Sequence, residues 1–209
     1  MSDIAKRLNQ CKKPTGELGK VIADGMNIGH FELTGWGFEK INNKNNDIVL
    51  DIGCGGGRTV NRLASITTEG KIFGIDYSLD CVKWSKDYNK EYVKNDRVEI
   101  FHASVEKIPF ENNKFDIITA VETIYFWPNL IENFKEVKRV LKLSGKFIII
   151  CEMYSRENFK EKNDKLVELS DMKIHTPKEL KELLEKAGFN NITIDLIEEK
   201  NWLCCICEK

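Results

Sequence analysis

The stretch DIVLDIGCGGGR, residues 47–58, decides the fold. Its first half is a short, almost unbroken apolar run, the pattern of a strand covered on both faces. Its second half carries Gly53, Gly55, Gly56 and Gly57 at the point where the chain must turn from that strand into the helix pattern Arg58–Ser65. Glycine allows such a turn, and it lets the backbone approach a ligand with no Cβ in the way. The unpaired N–H groups that open a helix favour an acceptor or an anion at the same place.

Working outward, the alternation repeats. Asp47–Asp51, Lys71–Asp76, Arg97–His102, Phe115–Val121 and Lys146–Cys151 read as buried strands. Helix patterns lie between them at Leu79–Val93, behind a Ser78 cap, and at Leu130–Leu141, behind Pro128; Ser144-Gly145 reads as a turn. Strands and helices joined by short links imply right-handed crossovers, hence an α/β fold with a doubly wound, mostly parallel sheet. The end of the chain changes rhythm. Thr176-Pro177 opens a helix striped by Leu180, Leu183, Leu184 and Ala187, and Gly188 stops it. Two strands follow, Asn191–Ile197 and Trp202–Glu208. Their link is too short for a crossover, so this pair is antiparallel. Residues 1–46 lack strand patterning and read as short helices and turns, which divides the chain into a helical segment, 1–46, and a sheet domain, 47–209.

Composition narrows the function. With 42% hydrophobic and 31% charged residues, the chain has material for one core and a solvated surface. Thirty-two basic against 33 acidic residues leave a net charge of −1, so nothing advertises a nucleic-acid partner. The apolar runs fall far short of the roughly 20 residues that span a bilayer. The N-terminal residues carry no apolar signal, so no membrane partner and a cytoplasmic location are expected. Seven cysteines, an odd number, fit a reducing compartment better than a disulfide framework. Cys204, Cys205 and Cys207 read as small hydrophobes of a buried strand; with no second ligand pair beside them, no metal site is expected.

Asp76 ends the second strand, 25 residues after Asp51. An acid at that place sits beside the glycine turn and can accept both hydroxyl hydrogens of a ribose. As a strand-end residue it is expected to matter for binding and little for folding. A dinucleotide turn needs a third glycine where this chain has Arg58, and the Gly-Lys-Ser/Thr ending of a triphosphate loop is missing. An adenosine cofactor without phosphates fits better.

Four motifs occur in order: VLDIGCGGGR, IFGIDYS, ASVEKIPFENNKFDIITAVE and FKEVKRVLKLSGKFII. Together they resemble a class I S-adenosylmethionine-dependent methyltransferase of the small-molecule type, over about residues 47–151. The resemblance implies a Rossmann-like, seven-stranded sheet with an antiparallel last strand, and a helical N-terminal lid. It implies S-adenosylmethionine as cofactor, S-adenosylhomocysteine as product and a small-molecule methyl acceptor as partner. By position, Asp51, Gly53, Cys54 and Gly55 would surround the methionine end of the cofactor. Asp76 would hold the ribose, with Tyr77 against the adenine. Ser104 and Val105 would meet the adenine edge, and Val121 would offer its carbonyl to the cofactor's amino group. Ser104 replaces the family's usual Asp, which removes charge assistance from the adenine contact.

Methyl transfer from a sulfonium is an in-line displacement, promoted mainly by alignment and exclusion of water. The candidate catalytic residues are His30 in the lid, Glu122 after the fourth strand, and Tyr125. His30 is either a proton acceptor or a structural histidine; Tyr125, Phe126 and Trp127 either wall a pocket or pack the core. His102 and His175 read as structural, and residues 152–175 as a solvated, charged excursion. Two alternatives stand beside methyl transfer: a non-catalytic adenosyl-binding or partner-activating subunit, and a nicotinamide-dependent oxidoreductase.

Overall fold

The computed structural model of the protein describes residues 3–41 and 44–209. Three helices come first: α1 (Asp3–Lys12), α2 (Gly16–Gly29) and α3 (Phe31–Phe38). Strands and helices then alternate through β1 (Ile48–Ile52), α4 (Arg58–Ile66), β2 (Lys71–Asp76), α5 (Leu79–Tyr88), α6 (Lys90–Lys94), β3 (Val98–His102), β4 (Phe115–Val121), α7 (Leu130–Val140) and β5 (Leu141–Cys151). The chain closes with α8 (Lys160–Leu169), α9 (Pro177–Lys186), β6 (Asn190–Ile197) and β7 (Trp202–Glu208). Positions 1, 2, 42 and 43 of the expected lid segment lie outside the described residues.

The seven strands form one sheet in the order β3-β2-β1-β4-β5-β7-β6. The first five strands pair in parallel, whereas β7 runs antiparallel to both its neighbours. After β3, at one edge, the chain returns to the far side of β1 to lay down β4. Strand order therefore reverses between β1 and β4, and in open α/β sheets ligands bind at the carboxyl ends of strands beside such a reversal. The apolar runs are long because both faces are covered. Leu50, Ile118 and Phe147 pack one face beneath α7 and α9, while Val49, Ile117 and Ile148 pack the other beneath α4. Leu33 and Phe38 of α3 join that second face, which fixes the N-terminal helices to the sheet domain. Cys204, Cys205 and Cys207 are buried free thiols of β7.

Three local expectations are corrected. The helix expected at Leu79–Val93 breaks at Asn89, whose side chain donates to the carbonyls of Ser85 and Gly57, both at 2.9 Å. A side chain that bonds nearby carbonyls competes with helix continuation. Ser144-Gly145 does not separate α7 from a later strand; β5 already begins at Leu141, and Ser144 forms a kink inside it at φ +60°. The register jumps there, from Phe115 opposite Leu141 to Ile117 opposite Lys146, as a bulge requires. Asp47 precedes β1 rather than opening it, accepting the Lys44 N–H at 2.7 Å.

Candidate active site

The glycine turn is held in a conformation that side chains resist. Gly53 and Gly57 have φ of +76° and +87°, and a Cβ on Gly57 would lie 2.6 Å from Ser85 Oγ. The N–H groups of Gly53 and Cys54 both donate to the Ile75 carbonyl, at 2.8 and 3.1 Å, which pins the turn to the end of β2. Asp76 completes the tie: one carboxylate oxygen accepts the Gly55 N–H at 2.9 Å and the other accepts the Ser78 N–H at 2.8 Å. Burial pushes the Asp76 carboxyl above its ordinary range, and those two N–H donors partly offset the rise. Asp76 is therefore a buried strut of the turn as well as a candidate ligand, which corrects the expectation that folding would hardly need it.

Two cavities meet at this residue. Gly53, Cys54, Gly55, Asp76, Tyr77 and Val121 line the first, together with His30 and Glu122. The second is lined by Gly53, Asp76, Tyr77, Ser104, Val105 and Phe126. Asp51 lines neither. It is buried below the turn, accepts the Thr119 hydroxyl at 2.7 Å and has its pKa raised to about 7 by burial. Ser104 closes a small turn on its own, donating to Glu106 and accepting the Glu106 N–H, both at 3.2 Å.

The N-terminal helices cover the first cavity and are fastened to the glycine turn. Tyr77 donates its hydroxyl hydrogen to the Lys12 carbonyl, and Ser78 donates to the Pro14 carbonyl at 2.5 Å. From α4, Arg58 reaches the Asn27 carbonyl at 3.1 Å and Arg62 the Phe31 carbonyl at 2.8 Å. Both guanidiniums also lie over the Phe31 ring, 4.3 and 4.0 Å from its centroid. The residue that argued against a dinucleotide turn, Arg58, thus clamps the N-terminal helices to α4.

Where the N-terminal helices meet the sheet, His30, Glu122 and Glu152 bring one ligand atom each within 4.8 Å of one another. Glu122 follows β4 in a left-handed conformation, φ +56°. Its Oε1 accepts the Glu152 N–H and the Tyr125 hydroxyl, the latter at 3.1 Å. Burial raises the Glu122 pKa to about 7, with His30 opposing the rise and Glu152 adding to it. Burial alone would lower the His30 pKa, but the pairing with Glu152 and the charge of Glu122 outweigh it, and the net shift is upward. The same pairing with His30, whose Nε2 lies 3.7 Å from Glu152 Oε1, holds the Glu152 carboxyl below its ordinary value.

Tyr125 is buried behind Glu122 and does not reach the cavity, so it positions a carboxylate instead of meeting a ligand. Trp127 packs in the core yet touches the second cavity, and Phe126 lines both. Glu152 is the member the sequence reading missed, placed there in a solvated excursion. A signal existed: it directly follows β5, as Glu122 follows β4, and both sit at the carboxyl edge where ligands bind.

The methyltransferase-domain family profile matches residues 43–188, which contain the turn, Asp76, Glu122 and Glu152. The chain belongs to the methyltransferase-domain family. A relative, the sterol 4-C-methyltransferase of Caenorhabditis elegans, is 28% identical over 168 residues, covering 77% of this chain and 50% of the relative. The chain thus spans half the length of that protein. Among solved structures, a methyltransferase in complex with the Trm112 activator of Haloferax volcanii superposes with a TM-score of 0.80 at 18% identity, covering 89% of this chain and 92% of its own. The Haemonchus contortus phosphoethanolamine N-methyltransferase 2, solved with S-adenosylhomocysteine and phosphomonomethylethanolamine, gives 0.74 at 16% identity over 86% of this chain and 52% of its own. Both share the overall fold of this methyltransferase-domain protein.

Proposed function

We propose that this methyltransferase-domain protein binds S-adenosylmethionine and transfers its methyl group to a small-molecule acceptor. The observation that carries the reading is Asp76, a buried carboxylate at the junction of two cavities beneath a left-handed glycine turn. A carboxylate has about four lone-pair positions, and two backbone N–H groups occupy only two of them here, which leaves acceptors for a ribose diol. The donor set suits an adenosyl group without phosphates. Tyr77, Ser104 and Val105 offer an aromatic face, a hydroxyl and an apolar edge in the second cavity, while the turn and Val121 line the first.

When bound, the cofactor supplies a methyl group made electrophilic by its sulfonium. The chain's own residues would do the rest. The turn and Asp76 fix the donor, and the α2–α3 lid, clamped by Arg58 and Arg62, excludes water, so that the acceptor meets the methyl in line. Ionised Glu122 stands at the acceptor end to take a proton, oriented by Tyr125 and the Glu152 N–H; His30 is a second titratable group beside it. Among the described residues no helix is long and apolar enough to cross a membrane. Free thiols and a balanced charge support a cytoplasmic location and a small-molecule partner in place of nucleic acid.

Calorimetry tests the reading. S-adenosylmethionine and S-adenosylhomocysteine should both saturate the protein at micromolar concentration, and NAD should not bind. Saturation by NAD with silence toward both adenosyl ligands would overturn it. Binding of both adenosyl ligands without S-adenosylhomocysteine formation across amine, hydroxyl, thiol and carbon acceptors would leave the non-catalytic subunit instead.

A further inference from the structure

The acceptor end of the first cavity holds more negative charge than the protein neutralises. His30 and Glu122 line that end, and Glu152 stands directly beside them outside the lining, so two carboxylates meet one imidazole, and His30 is engaged with Glu152. Among the described residues, the other cations lining the cavity are Lys12, Arg58 and Arg62. Lys12 is paired with Asp171 at 3.0 Å, and both guanidiniums are bound to lid carbonyls and stacked on Phe31. Glu122 is left facing the cavity without a cationic partner of its own. Its Oε1 already accepts two hydrogens, so Oε2 is the atom free to receive a donor.

Geometry separates the cations that would fill this gap. A first-row metal ion with bonds of roughly 2.1 Å draws its ligand atoms to roughly 3.0–3.4 Å of one another. Here the His30 Nε2 to Glu152 Oε1 separation alone is 3.7 Å. An ammonium donating bonds of roughly 2.8 Å can reach both carboxylates, because their ligand atoms lie within 4.8 Å of each other. Phe126, which lines both cavities, adds an aromatic wall of the kind that favours a methylated ammonium.

We infer that the methyl acceptor is a primary or secondary amine, entering as its ammonium and held by Glu122 and Glu152. The inference rests on the methyl-transfer reading. The step balances without another reagent. The ammonium gives one N–H proton to Glu122, the freed nitrogen lone pair forms the N–CH3 bond, and the S–CH3 bond breaks with its electron pair going to sulfur. The products are a methylated ammonium and S-adenosylhomocysteine, and Glu122 returns its proton to water.

The test uses the protein saturated with S-adenosylhomocysteine, titrated by NMR with butylamine and benzylamine and with their neutral isosteres, butanol and benzyl alcohol. At least one amine should saturate at millimolar concentration while the alcohols do not. Glu122→Gln and Glu152→Gln should each weaken that amine roughly tenfold to a hundredfold, with S-adenosylhomocysteine affinity retained and no fall in melting temperature. Glutamine keeps an acceptor oxygen for the Tyr125 and Glu152 hydrogens, and Glu152→Gln provides a second, more exposed variant. Absence of amine binding in protein that does bind S-adenosylhomocysteine overturns the inference, as do equal affinity for alcohols and amines, or saturation by Mn2+ that both variants abolish. Failure to bind S-adenosylhomocysteine at all defeats the methyl-transfer reading instead.

Discussion

Asp76→Ala should damage both the fold and the cofactor site, and the two losses can be measured separately. In the free protein the substitution strands the Gly55 and Ser78 N–H groups, which now bond to the carboxylate at 2.9 and 2.8 Å. A buried donor left without a partner costs about 1–3 kcal/mol, but the adjoining cavities admit water, and removal of a buried charge returns part of the loss. A net destabilisation of about 2 kcal/mol follows, which for a chain of this length lowers Tm by roughly 4–8 °C. The ribose contacts add a further loss of about 2–4 kcal/mol in S-adenosylhomocysteine affinity, roughly 30-fold to 1,000-fold. Scanning calorimetry reads the first quantity and titration calorimetry the second. Asp76→Asn separates them further, because its one oxygen still accepts a backbone N–H while the charge that favours a diol is gone. An Asp76→Ala protein that melts with the wild type would refute the strut role. One that binds S-adenosylhomocysteine as tightly as wild type would refute the ribose role.

Three more outcomes are expected. Gly57→Ala places a side chain at φ +87° with a Cβ 2.7 Å from the Ser85 Cα, so urea melts should show a loss of about 2–4 kcal/mol; a smaller loss means the turn relaxes freely. Amide exchange across residues 26–36 should slow when S-adenosylhomocysteine is added, because the lid is fastened to the turn that receives it; unchanged exchange would make the lid a fixed wrap. Glu122 carries its proton to a higher pH in the folded protein than its ordinary 4.5, so its ionisation erodes stability as pH rises from 4.5 to about 7. Glu122→Gln should therefore gain on wild type by about 1–3 kcal/mol across that window, while wild-type kcat/KM climbs toward a plateau above it. A stability difference that does not vary with pH would show that Glu122 is not the titrating group.

The features legible in the sequence were those set within one strand, one turn or one link. Apolar runs at Asp47–Asp51 and Phe115–Val121 announce strands covered on both faces because each run is local, and Gly53–Gly57 announces a turn because three of its four glycines sit at positive φ, which side chains rarely adopt. Asp76 and Ser78 lie at fixed distances from that turn along βαβ units of nearly standard length. The break at Asn89 was not legible, since one carbonyl that draws its side chain belongs to Gly57, 32 residues away. Glu152 reads as surface charge until β5 is placed beside β4 and the lid is folded back, because its partner His30 lies in α2–α3 and its amide serves Glu122 from the neighbouring strand. Tyr125 stood open in the sequence between cavity wall and core, and only packing shows that it is buried and faces the carboxylate from behind.

The long-range contacts missed in the sequence also link the two halves of the site. His30 sits where α2 ends and α3 begins, and Thr34 donates its hydroxyl hydrogen to the His30 carbonyl at 2.6 Å. Arg58 and Arg62 grip the carbonyls on either side of that junction, at Asn27 and Phe31. Arg58 directly follows Gly57, the last glycine of the turn. A ligand that orders the turn therefore orders the first residue of α4, and through its guanidinium the segment that carries His30 toward Glu122. Coupling of this kind needs no rearrangement of the sheet. On the proposed reading the expected outcome is that the cofactor binds first and the acceptor second. Arg58→Ala separates that order from simple proximity: cofactor affinity should change little, while the gain in acceptor affinity that S-adenosylhomocysteine confers should shrink. An undiminished gain would show that the two ends fill independently.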